Sequence, residues 1–410
     1  MPPGPTPLAE ADLPWIDFEG ERYAREPIAV LAEARSRSPL ARSSRGLQVL
    51  SYSLVSRLAI DPNLDSTGPE YYRQQNASNL ILEWATNGAL PLIQSPRHDR
   101  IKKVLMRGFG LKRLNELRPT MRSVANSLLD RIAERGNTGD LVADFSHWYP
   151  LEVLCALIGV PRKDIGRFSQ WTVALGHLAS IPLAPHIPRI DNALANLFAY
   201  FRQLVAMRRA EPTDDFVSTL VQAQAEGEEL SEAELYGALV NLLFAGHDTT
   251  RYQFGWVIQQ LMAHRDQWDL VVANPELAAA AVEESMRTQP SITVFLRVVV
   301  REMECAGVLL PVGTFLNLNS YAANHDPEMF PDPEVFDIRR KNANRQLTFG
   351  YGPHLCLGNA LARIEMTEAL QVFAQRYPGL ELAGTPEIPE GQPASSFLRG
   401  AERIPIALNP

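Results

Sequence analysis

The chain has 410 residues, of which 46% are hydrophobic and 21% charged, a balance that excludes a disordered or collagen-like chain. Lys and Arg number 39 against 47 Asp and Glu, so the net charge is −8 and nucleic acid is not expected as a partner. Three cysteines, Cys155, Cys305 and Cys356, are too few for a disulfide scaffold and lack zinc-like spacing, which points to a reducing, cytoplasmic location.

Met1 to Pro14 is Pro-rich and acidic, reads as flexible, and has no basic run followed by an apolar core. No run of about 18 apolar residues escapes a charge or a helix breaker, so no membrane anchor is expected. A helical pattern covers Pro27 to Arg37, and Gly46 to Tyr52 reads as a strand or hairpin arm, with β character to about residue 60. Asp65 to Ile93 reads as a loop with short helical pieces. From His98 to Glu134 the apolar period is helical, and Thr138 to Gln224 is mostly helical with breaks at Pro161 and at the Pro-rich segment Ile181 to Pro188.

Ser231 and Glu234 form a capping-box signature that opens a helix running to about His264, long enough to cross a whole core. A shorter helix follows from Glu276 to Arg287. Val298–Val300 and Val308–Leu310 read as strands with Pro311-Val312-Gly313 as the turn between them, part of a β region over 298–316. Asn342 to Pro353 is a Gly-rich loop, Leu357 to Tyr377 is helical, and 380–408 holds short strands. The fold class is mainly α with a smaller β region, in a single domain over 1–410 whose helix-rich core spans about 98–377.

The most informative stretch is Phe349-Gly350-Tyr351-Gly352-Pro353-His354-Leu355-Cys356-Leu357-Gly358. Two glycines and a proline bend the backbone ahead of one cysteine at the start of a helix, where backbone N–H groups favour a thiolate. Such a thiolate serves as a nucleophile or as a haem ligand, and a buried structural cysteine is the bland alternative. Glu284-Ser285-Met286-Arg287 sets a carboxylate and a guanidinium on one helical face. Ala245-Gly246-His247-Asp248-Thr249-Thr250 clusters poor helix formers in the middle of the long helix.

The cysteine stretch resembles the haem-binding loop of the cytochrome P450 family, Phe-Gly-x-Gly-x-His-x-Cys-x-Gly, with every fixed position filled. Glu284 and Arg287 resemble that family's Glu-x-x-Arg pair, and Phe336-Asp337-Ile338-Arg339 its downstream element. The cluster at 245–250 resembles the oxygen-activation motif, and Pro96-Arg97-His98-Asp99-Arg100-Ile101-Lys102 the segment that meets the haem propionates, with Lys102 where Arg is usual. Ala323-Asn324-His325-Asp326-Pro327 matches a further family motif with His325 in place of Arg. The resemblance covers about residues 15 to 408 in the family's order.

The resemblance implies the cytochrome P450 fold, a long central helix over a non-covalent haem b, and a soluble bacterial type. It implies that Cys356 is the thiolate ligand, with Phe349 and Gly350 beside the sulfur, and that His98, Lys102, Arg297 and His354 meet the propionates. Ala245 and Gly246 would leave room for the macrocycle, and Thr249 and Asp248 would serve oxygen activation and proton relay. Glu284, Arg287 and Arg339 would form a buried supporting network. By position, Leu242, His247, Ile292, Val294, Phe295 and Phe397 would line the substrate pocket, with His247 alternatively bonded within the protein.

The implied activity is a monooxygenase that hydroxylates, epoxidises or dealkylates a small, largely apolar molecule, free or carrier-bound, in natural-product biosynthesis. Dioxygen is the co-substrate, no flavin or NAD(P) is bound, and electrons come from a ferredoxin or flavodoxin with its reductase. Arg100, Lys103, Arg107 and Lys112 are candidate docking residues for that donor, and the protein is expected to be a monomer. An oxidase that forms aryl or ring bonds without oxygen insertion shares these motifs. A haem-binding sensor is the alternative of a different class.

Overall fold

The structure, a computed structural model, describes residues 4–180, 182–388 and 398–409. It is mainly helical with smaller sheets. The chain divides into two compact units, one comprising Met1–Thr67, Glu283–Cys356 and Ile388–Gly400, the other Gly68–Val282, Leu357–Glu387 and Ala401–Pro410.

The first unit is built on a six-stranded sheet, in the order Trp15–Ile16, Leu40–Ser43, Gly46–Val49, Phe315–Asn319, Val294–Val299 and Leu64–Asp65. Gly46–Val49 and Phe315–Asn319 pair in parallel, and Phe315–Asn319 pairs antiparallel with Val294–Val299 so that Leu316 lies opposite Arg297. Leu47, Val49, Leu316, Leu318 and Val299 bury one apolar layer against Leu54 and Leu58 of the Tyr52–Leu58 helix. The first β region therefore ends at Val49: the expected strand to Tyr52 stops short, and a helix starts where that strand was to end. Ser51, in extended conformation, is the residue that caps that helix at its start.

Pro311-Val312-Gly313 turns the chain between Val308–Leu310 and Phe315–Asn319 rather than between the two expected strands, and Gly313 takes a φ of 88° there. Between Val294–Val299 and Val308–Leu310 lies an additional short strand, Met303–Cys305, paired antiparallel with Val308–Leu310. Residues 4–14, expected to be flexible, carry a strand at Thr6–Pro7 that pairs in parallel with Val308 and Leu309, and the Thr6 N–H donates to the Gly307 carbonyl at 2.9 Å.

The second unit is helical around Glu232–Ala263, a helix of 32 residues. Its start is fixed by both bonds of the capping box, Glu234 N–H to Ser231 Oγ at 3.2 Å and Ser231 N–H to Glu234 Oε2 at 2.9 Å. Glu234 also accepts from Arg97 at 2.8 Å and Arg100 at 2.7 Å, which ties the Arg97–Met106 helix to this end. Gly237 and Gly88 meet backbone to backbone, and a Cβ on Gly88 would stand 2.2 Å from the Gly237 carbonyl carbon. Phe145, Tyr149, Phe254 and Phe373 cluster around the helix's later half. A three-residue strand, Thr138–Asp140, opens the stretch expected to be mostly helical and joins a small sheet with Glu381–Leu382 and Pro405–Ala407. Leu141–Ile158 has the length and apolarity of a membrane span but is 72% buried within the protein, as a core helix is.

Candidate active site

In the first unit, Glu284 and Arg287 lie three apart on the Ala278–Thr288 helix, and both are fully buried. Arg287 places all five of its N–H donors. Nε and Nη2 hold the two Glu284 oxygens at 2.8 and 2.7 Å, and the rest reach the carbonyls of Asn324, Pro333 and Val335 at 2.7–3.0 Å. A buried ion pair with every donor satisfied avoids the cost of an uncompensated charge.

The expected third member is corrected. Arg340, not Arg339, donates to Glu284 Oε1, at 3.1 Å. The Asp337 N–H also donates to that oxygen at 3.1 Å, and the chain leaving it turns so that the Arg339 side chain is 65% exposed beside Asp337. The network continues toward the cysteine loop. Asn324 Oδ1 accepts from the Leu347 N–H at 2.7 Å, its Nδ2 donates to Thr348 Oγ1 at 3.2 Å, and that hydroxyl donates to the Met286 carbonyl at 2.8 Å. The residue after Thr348 is Phe349, so the loop is anchored at its first position.

Within the loop, Gly350 and Gly352 take φ values of 74° and 71°, and the Cys356 N–H donates to the Phe349 carbonyl at 2.9 Å. Cys356 is exposed, whereas Cys155 and Cys305 are buried. Burial pushes the Cys155 thiol up to about 12 and raises Cys305. The helix expected to begin at the cysteine starts three residues later, at Asn359.

Arg297 is buried on the Val294–Val299 strand. Its guanidinium donates to the Leu296 carbonyl at 2.8 Å and stands over the Phe295 ring, with no carboxylate in ion-pair distance among the described residues. Burial lowers its pKa to about 10. His354 is half-buried in the loop. Ile292, Val294 and Phe295 are partly buried, and Ile292 bridges to Leu398. Phe397 lies outside the described residues.

In the second unit, the Thr249 hydroxyl donates to the Ala245 carbonyl at 2.7 Å, and Ala245 is exposed in the middle of a mostly buried helix. Leu242 is buried. Two of the residues assigned to this face point elsewhere. His247 follows Ala245 by two residues, about 200° around the helix, and its Nε2 sits 2.8 Å from the His147 carbonyl, so the protein-bonded alternative holds and the pocket role does not. Gly246 faces Leu154, whose Cδ1 would stand 2.9 Å from an added Cβ, so its missing side chain admits a neighbouring helix rather than a flat ligand.

Asp248 is buried, with Oδ1 3.1 Å from His247 Nδ1 and 3.4 Å from Arg251 Nε. Burial alone would raise its carboxyl. His247 and the charge of Arg251 outweigh that and hold it below the usual carboxylate range. His98 is buried, with Nδ1 2.8 Å from Asp99 Oδ1, and Lys102 is half-buried four residues on. Arg100, Lys103, Arg107 and Lys112, considered for partner docking, each lie within 4.0 Å of a glutamate: Glu234, Glu228, Glu226 with Glu228, and Glu116.

Sequence reasoning passed over Arg340, His147, Arg251 and Glu365. Only Arg340 carried a signal, a second arginine beside the expected one. Glu365 is buried with Oε2 unpartnered, near Thr250, and burial raises its carboxyl well above the usual range.

Comparison with known proteins concerns the chain as a whole. A family model described as Cytochrome P450 matches residues 167–271 and 271–404. The chain is similar to a mycinamicin IV hydroxylase/epoxidase from Micromonospora griseorubida, 36% identical over 78% of this chain and 79% of that protein. It is likewise similar to a steroid C26-monooxygenase from Mycobacterium tuberculosis, 31% identical over 97% and 98%. Among solved structures it resembles the cytochrome P450 enzyme CxnD for C–S bond formation in chuangxinmycin biosynthesis, with a TM-score of 0.82, 32% identity, and coverage of 97% and 98%.

Proposed function

The chain belongs to the cytochrome P450 family and is a P450 monooxygenase, and we propose that it hydroxylates or epoxidises a small, largely apolar molecule of natural-product metabolism. Haem iron and dioxygen are the family's cofactor and co-substrate. The residues present fit a haem. Cys356 offers the one exposed thiol, on a glycine-turned loop anchored through Thr348, and this observation carries the reading. Arg297 is a buried cation bonded to a backbone carbonyl, suited to a propionate, and His354, His98 and Lys102 would serve the same groups. Bound haem supplies the oxygen chemistry that no side chain can, with the thiolate donating electron density to the iron.

The chain's own residues position and manage protons. The single Thr249 hydroxyl proton is engaged by the Ala245 carbonyl, so the oxygen presents only lone pairs outward and accepts a hydrogen bond from whatever approaches that face. Asp248, next along the helix, would relay protons from a buried carboxyl whose Oδ1 lies 3.1 Å from His247 Nδ1. Phe349 and Gly350 shape the loop around the sulfur. Ile292, Val294 and Phe295 of the first unit would offer apolar surface to the substrate. Both units would serve one domain. The protein would act as a cytoplasmic monomer, binding no flavin or NAD(P) itself and taking electrons from a ferredoxin or flavodoxin with its reductase.

The test is the absorption spectrum of the dithionite-reduced protein under carbon monoxide. A Soret band shifted strongly to the red of a His-ligated haem, and lost in Cys356→Ser, is the expected result. A protein that takes up no haem, or a His-type band in the native protein, overturns it. The similarity to CxnD favours one second reading, an oxidase that forms a bond without inserting oxygen. Labelled dioxygen separates the two, because only oxygen insertion leaves the heavy isotope in the organic product.

A further inference from the structure

His247 makes two contacts that together restrict where its protons are. Nε2 lies 2.8 Å from the His147 carbonyl, and a carbonyl only accepts, so Nε2 carries a hydrogen. In a neutral imidazole Nδ1 is then bare. Nδ1 is buried, has no aligned hydrogen-bond partner among the described residues, and sits 3.1 Å from Asp248 Oδ1. A bare ring nitrogen and a carboxylate oxygen repel at that distance, and with the imidazole 1% and the carboxyl side chain 12% exposed a weak dielectric magnifies the cost. One proton, on either atom, turns the repulsion into a hydrogen bond after a small rotation.

We propose that His247 and Asp248 hold one proton between them, and that His247 is the positioning residue that sets when the Asp248 carboxyl gives up a proton. This rests on the reading of Asp248 as the proton-handling group of the monooxygenase. Each delivery takes one proton from the pair, leaving Nδ1 bare and the carboxylate ionised, and one proton taken up from water restores it. Arg251, 3.4 Å from the same oxygen, already matches the carboxylate's charge, so the shared proton is surplus and available.

Beside Arg251, the titratable groups around the pair include His147, His177 and Tyr252. His147 faces His247 edge to face at 4.9 Å, is bonded to Ser169 Oγ at 2.7 Å, and is held neutral by burial, with a pKa of about 4. His177, at the end of the Ile165–Gly176 helix, interacts with Asp248 by charge alone, as does Tyr252 on the long helix.

The experiment is nitrogen-15 NMR of histidine-labelled holoprotein in the diamagnetic ferrous carbonyl form, with His247 identified by its loss in His247→Gln. The expected result is a protonated Nε2 throughout and an Nδ1 resonance that moves in Asp248→Asn. An Nδ1 resonance unmoved by Asp248→Asn overturns the proposal. His247→Gln supplies the second arm, since its amide N–H can keep the bond to the His147 carbonyl but holds no exchangeable ring proton. It is expected to retain haem and to lose the pH dependence of product formed per electron consumed. A Gln variant with the wild-type pH profile overturns the proposal. Should Asp248→Asn leave product per electron unchanged, the role of Asp248 fails, while the NMR arm still decides whether the proton is shared.

Discussion

Arg340 Nε lies 3.1 Å from Glu284 Oε1, while its neighbour Arg339 points away with most of its side chain exposed. Arg340 also donates to the carbonyls of Pro331, Asp332 and Val335, at 2.7–3.0 Å. Arg340→Ala removes the second cation from a fully buried carboxylate and leaves three carbonyls short of a donor. A loss of about 3–5 kcal/mol is expected, the range for breaking a buried pair, together with a lower haem-to-protein ratio. Arg339→Ala should stay within about 0.5 kcal/mol of wild type. Denaturant unfolding of the two variants checks the assignment, and equal losses would contradict it.

Thr249→Val keeps the β-branched shape and removes the oxygen that accepts a hydrogen bond on the exposed face near Ala245. Loss of one hydrogen bond, about 1.4 kcal/mol, corresponds to about tenfold. The expected outcome is a tenfold fall in product per electron with the substrate-induced spectral shift intact. Electron consumption measured against product decides it, and an unchanged ratio would remove Thr249 from the chemistry.

Glu365 carries a different signature. Burial raises its folded pKa above the unfolded value, about 4.3, so its contribution to stability is complete below that pH and is lost as pH rises toward the folded value. Glu365→Gln, a neutral isostere, should therefore gain on wild type as pH moves from about 5 toward neutral. Unfolding midpoints at the two ends test this, and a pH-independent difference would mean that the carboxyl is ionised in the folded protein.

Glu234 works in the opposite sense. Burial opposes its charge, but Arg100, the Ser231 N–H and Arg97 together lower its pKa to about 2. Its contribution is present above the unfolded value of about 4.3 and is lost as pH falls toward about 2. Glu234→Gln should be less stable than wild type at neutral pH and should lose less on acidification through that window. Parallel acid-unfolding curves would refute the ion-pair account.

Much of this was legible in sequence because it depends on spacing. The capping box at Ser231 and Glu234, the three-residue step from Glu284 to Arg287 and the glycine positions around Tyr351 are local, and the structure forms each locally. The orientation of Gly246 and His247 is legible in principle, since helical phase places His247 opposite Ala245 and Thr249, whereas the family motif alone carries no phase. Arg340 could not be chosen over Arg339 from spacing, because the turn that separates them is set by the Asp337 N–H bond to Glu284, a contact fifty-three residues apart in sequence. Glu365 looked like any polar residue on a helix. Only packing from other helices reveals that it is sealed from water.

The pairing of Thr6–Pro7 with Val308 and Leu309 bears on how the protein is handled. In the order Thr6–Pro7, Val308–Leu310, Met303–Cys305, the N-terminal strand is the outer one. Trimming the chain to about residue 11 bares the amide edge of Val308–Leu310, and an open edge strand invites a second molecule to add to it. A shortened form should thus aggregate under storage although its chemistry lies elsewhere in the chain, and affinity tags belong at the other terminus.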